Sequence, residues 1–138
     1  MTVHFAEIEF ACRCGRPTCE APTTVSEDLL AALEALRSRY GFPVLVTSGH
    51  RCSWWNLKEG GVADSAHVVR PGEVLEECDI AAPSSQARYD LLGALFLGSG
   101  PPIFSRVGVG PNFLHVGNSQ RPGHAQHVCW TYYPKGAP

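Results

Sequence analysis

The chain has 138 residues, 44 % of them hydrophobic and 17 % charged, with a formal net charge of -2. This suits one globular domain able to bury its own core. The charge leaves no basic surface for a nucleic acid, and no apolar run approaches the roughly 18 residues of a membrane span.

The N-terminus carries His4, Glu7 and Glu9 where a secretory leader needs a basic region and then an apolar one. It does not read as a leader, so a protein acting outside a cell needs another route there. Residues 1–22 read as an irregular arm rich in Cys, Arg and Pro. Three of the six cysteines crowd into Cys12-Arg-Cys-Gly-Arg-Pro-Thr-Cys19; the others are Cys52, Cys78 and Cys129. Disulfides, a structural metal with a fourth ligand from elsewhere, and free thiols all remain open for them.

A helix follows the arm. Thr24-Val-Ser-Glu27 has the form of a capping box. Leu29, Leu33, Leu36 and Tyr40 recur at helical spacing until Gly41 and Pro43 stop it. Pro43–Ser48 reads as a short buried strand and Val74–Ala81 as a second. Between them lie Trp54, Trp55 and the loop signal Gly60-Gly61. The Trp pair can pack as part core and part lid, or stack on a substrate. Ser84 or Ser85 caps a second helix carrying Leu91, Leu92, Leu95 and Phe96. Arg106–Val109 and Phe113–Val116 form an expected hairpin about Gly110-Pro-Asn112. Residues 118–138 show no clear element. The expected architecture is one α+β domain with a small antiparallel sheet and flanking helices.

Candidate metal ligands emerge along these strands. His67 follows the glycine loop, in Asp64-Ser-Ala-His67. Asp79 sits in an apolar strand and needs a partner there. His115 lies between Leu114 and Val116. His124 and His127 form a second, weaker pair.

At these residues the chain resembles the zinc D-alanyl-D-alanine carboxypeptidases. That family also holds D-alanyl-D-alanine dipeptidases and phage L-alanyl-D-glutamate endolysins. Thr47-Ser-Gly-His-Arg-Cys52 with Asn56 is similar to its T-S-G-Y-R-C…N motif. Ser65-Ala-His67 and Cys78-Asp-Ile80 are similar to its first metal motif. Arg106-Val-Gly-Val-Gly110 with Phe113-Leu-His115 is similar to its R-I-G-I-G…F-I-H. Phe10-Ala-Cys-Arg-Cys-Gly15 resembles the arm of the small phage-type branch. The resemblance implies a Hedgehog/DD-peptidase-like fold over residues 1–138. It implies that His67, Asp79 and His115 ligate zinc, that Arg51 holds a substrate carboxylate or carbonyl, and that Ser65 assists substrate binding.

Two departures stand out. Eleven residues, Val68–Cys78, separate His67 from Asp79, more than the family has, with Arg70-Pro-Gly-Glu73 as an inserted turn expected to reshape the cleft rim. The family also places a proton-accepting residue near its last His. Here positions 112, 113 and 117 are Asn, Phe and Gly, so the acid or base must come from elsewhere. Glu77 and His50 are candidates, with Glu73, Glu76 and Asp64 behind them. Two functions are therefore expected. One is a zinc peptidase cutting a peptidoglycan stem-peptide bond next to a D-amino acid. The other is an inactive relative serving as a structural or wall-binding part of a phage tail, alongside other virion proteins. Either is expected in a phage virion, or in host cytoplasm before release, and acts at the cell wall.

Overall fold

The computed structural model describes residues 1–132; the end of the expected irregular tail, 133–138, lies outside the described residues. Helix α1 spans Glu27–Tyr40. Its cap is Ser26, whose hydroxyl accepts from the Leu29 N–H at 3.0 Å, rather than Thr24. The cause is long-range. Val25 pairs with Leu75 in an isolated parallel bridge. The Ser26 N–H reaches the Leu75 carbonyl, and the Leu75 N–H reaches that of Thr24. Backbone held extended through Val25 cannot coil before Ser26. At the other end Gly41 takes φ 80 and returns its N–H to the Arg37 carbonyl, a left-handed stop that favours glycine.

The remaining elements are a short 3-10 helix Glu7–Phe10, inside the arm expected to be irregular, and β1 Val46–Ser48, α2 Ser53–Lys58, β2 Glu77–Ala81, α3 Ser85–Phe96, β3 Arg106–Val109, β4 Phe113–Gly117 and β5 Val128–Thr131. Ser84 caps α3, accepting from the Ala87 N–H. Both early strands are shorter than their apolar runs. Leu45 is exposed, and Leu75 is diverted to Val25. The five strands form one sheet in the order β1-β2-β4-β3-β5. Pairing is antiparallel except that β5 joins β3 in parallel, making the sheet mixed. β5 lies in the stretch where sequence analysis finds no element. Among the described residues no helix is long and apolar enough to cross a membrane.

Alternation along the strands gives the sheet two faces. Cys78, Ile80, Val107, Leu114 and Val116 point into the core, where Leu29, Leu33 and Leu36 of α1 and Leu91 and Leu95 of α3 cover them. The other face carries the site. The register aligns Ser48, Asp79, His115, Gly108 and Trp130 in one row across all five strands. Gly108 must lack a side chain: a Cβ there would stand 2.6 Å from the Tyr132 ring and 2.7 Å from that of Trp130. Its absence lets Trp130 lie over the sheet and reach His115, with ring centroids 5.5 Å apart.

Candidate metal centre

Asp79 and His115 are direct cross-strand partners on β2 and β4, and His67 arrives from the loop between α2 and β2. All three are buried. One donor atom from each can be chosen so that all lie within 4.8 Å of one another. The remaining ring nitrogens identify the converging ones. His67 Nδ1 sits 2.6 Å from the Gly49 carbonyl. A carbonyl only accepts, so Nδ1 carries the proton and Nε2 keeps its lone pair. That Nε2 lies 3.3 Å from Asp79 Oδ2. His115 Nε2 is held by Glu77 Oε2 at 2.5 Å, and its Nδ1 faces Asp79 Oδ1 at 2.9 Å. Each histidine is thus fixed in orientation by the nitrogen that points away from the centre, the usual arrangement around a metal-ligating imidazole.

Electrostatics follow from this packing. Burial opposes charge on His115, but its hydrogen bonds to Asp79 and Glu77 outweigh burial and raise its pKa to about 9. Burial likewise opposes charge on Asp79, yet its bonds with His115 and His67 hold the carboxyl far below the usual range. Burial dominates at His67 and lowers its pKa. A neutral His67 therefore aims a lone pair at a carboxylate oxygen. A cation shared by the two would relieve that opposition.

Arg51 supplies part of the charge. Its Nη2 donates to Asp79 Oδ2 at 3.1 Å and its Nε to Ser48 Oγ at 3.0 Å. Its main-chain N–H donates to the His67 carbonyl at 2.8 Å, so the Arg51 and His67 loops are tied together. Ser65 Oγ accepts from the His67 N–H at 3.2 Å, which places this serine in the turn that presents His67. The group opens into a cleft of about 940 Å³ whose walls include Asp64, Ser65, Phe113, His124 and Trp130.

The sequence model of the peptidase M15 family matches residues 2–90. The chain belongs to the peptidase M15 family. No curated protein and no solved structure matches the chain. M15 proteins are metallopeptidases, and the donor set fits a metal. It offers two imidazoles and one carboxylate, three protein ligands as in a catalytic zinc site. One ligand atom from each residue lies within 4.8 Å of the other two, so modest contraction reaches the edge of about 3.3 Å expected of a tetrahedron with bonds near 2.0 Å. His115 lies beyond the matched segment of this M15 chain, and strand register brings it to Asp79.

Other predicted residues land elsewhere. His50 is buried with Nε2 3.1 Å from the Thr24 carbonyl and does not line the cleft. Glu77 does line it, but accepts from His115, Arg106 and the Ser119 N–H at once. Glu73 and Asp64 hold Arg121 at the rim, so the inserted turn is clasped to the β4–β5 connection. Trp54 stacks on Trp55 and faces Arg16 rather than the cleft. His124 borders the cleft, 3.0 Å from Ser119 Oγ, while His127 is exposed. Sequence reasoning misses Arg106, Arg121, Trp130 and Tyr132. Only Gly108 and Gly117, small residues opposite bulky ones, hint at them.

Proposed function

We propose that the chain is a zinc-dependent peptidase that cuts a peptidoglycan stem-peptide bond next to a D-amino acid. The observation carrying this reading is the convergence of His67 Nε2, Asp79 and His115 Nδ1 beside Arg51 on the cleft floor. Bound there, zinc supplies a Lewis acid that polarises a carbonyl and acidifies water. The protein does the positioning. Gly49 and Glu77 hold the two imidazoles in their tautomers. Arg51 turns its planar fork toward a substrate carboxylate or carbonyl, and Phe113 and Trp130 flank the peptide.

A second reading is favoured by one observation. Asn112, Phe113 and Gly117 beside His115 accept no proton, and Glu77 is fully engaged. On that reading the fold and metal persist in a wall-binding part of a phage tail or similar particle. The discriminating experiment incubates zinc-loaded full chain with purified peptidoglycan and follows new termini by mass spectrometry. Fragments that cease with a chelator and return with zinc are expected. Binding to the wall with no new ends would replace the enzyme reading with the second.

Zinc binding at His67, Asp79 and His115, with any site at the cysteines already loaded, should release about one proton near pH 7. Asp79 and His67 are already unprotonated there, whereas His115 holds a proton up to about pH 9. Affinity should therefore rise with pH until about 9 and then level. Calorimetry in buffers of different ionisation enthalpy measures this; a pH-independent affinity would contradict it.

A further inference from the structure

We propose a second metal site, a zinc tetrathiolate formed by Cys12, Cys14, Cys19 and Cys52, which anchors the N-terminal arm to the Arg51 loop. The four sulfurs all lie within 4.8 Å of one another. A tetrahedron with Zn–S bonds near 2.3 Å has edges of about 3.8 Å, so modest contraction completes the site.

The arm between Phe10 and Thr24 has no helix or strand. Arg13, Gly15, Arg16, Pro17, Thr18 and Glu20 are exposed, and the three cysteines among them turn inward. They meet Cys52, which follows Arg51 and caps α2. No apolar side chain from 13 to 20 ties this segment down; beside Arg13 on the Val46 carbonyl and Arg16 on the Trp54 ring, the cysteine cluster fastens it.

The surroundings favour metal over disulfides. Three of the sulfurs accept a main-chain N–H: Cys12 takes that of Cys52 at 3.3 Å, Cys14 that of Arg16 at 3.4 Å and Cys52 that of Trp55 at 3.4 Å. Such donors stabilise thiolates, the form that ligates zinc. Four sulfurs in one mutual cluster also match an S4 metal site better than two separate bridges. The remaining thiols are placed differently: Cys78 is buried in the core and Cys129 is exposed on β5.

The site is independent of the His67–Asp79–His115 centre, which contains no sulfur. Replacing zinc by cobalt in the reduced full chain tests it. A strong near-ultraviolet sulfur-to-cobalt band is expected, retained in His115→Ala and lost in Cys14→Ser together with one metal per chain. Should Cys14→Ser fail to fold, the wild-type spectrum decides. No thiolate band in wild type, or an intact mass showing disulfides, would overturn the proposal.

Discussion

Glu77→Gln should weaken zinc binding by about 10- to 100-fold and destabilise the metal-free protein by about 3–5 kcal/mol. Glu77 is fully buried. It accepts from Arg106 Nε at 2.6 Å, from the Ser119 N–H at 3.0 Å and from His115 Nε2. Burial opposes its charge, yet the His115 and Arg106 contacts keep its pKa below the ordinary carboxylate value. The carboxylate stands over Gly117, whose missing side chain gives it room: a Cβ there would collide with Glu77 Cγ. An amide fits the same space but brings no charge and turns N–H groups toward donors. Arg106 then loses its buried counter-ion, and His115 loses the partner that sets its tautomer. Denaturant titration of the metal-free protein and zinc titration of the folded one measure the two effects. A Glu77 that carried the reaction's proton would behave differently, with metal affinity intact and only turnover lost.

His115→Ala should reduce peptidoglycan cleavage by more than about two orders of magnitude. A catalytic metal contributes several kcal/mol to the transition state, and each 1.36 kcal/mol is tenfold in rate. The variant should still fold, because the carboxylates His115 leaves behind keep other partners. Asp79 retains Arg51, and Glu77 retains Arg106. Equal near-ultraviolet circular dichroism with lost cleavage is the expected pair of results. Undiminished cleavage by the folded variant would remove His115 from the reaction.

What the sequence revealed depended on range. α1, α3 and the β3–β4 hairpin follow from periodicity and nearby glycines, which are local signals. The cap at Ser26 was hidden because it depends on Leu75, a residue far along the chain. β5 was hidden because its four residues join the sheet in parallel at an edge that only the finished hairpin creates. The three converging donors were visible by motif, although each looked ordinary alone. Glu77's hold on His115 was not, because it requires the β2–β4 register that sets Glu77 opposite Gly117. His50 showed the reverse: its place beside Arg51 suggested chemistry, while its ring bonds the Thr24 carbonyl. For the arm, the three close cysteines were plain, but the fourth of the cluster is Cys52, whose role needed the Phe10 carbonyl to dock on the His50 N–H at 2.8 Å.

The most direct measurement is the zinc content of metal-replete, purified wild type beside His115→Ala, by elemental analysis. The account predicts that the variant holds one zinc per chain fewer than wild type, whatever the cysteine cluster retains. Equal zinc in the two proteins, or none in either, would contradict a metal centre at His67, Asp79 and His115.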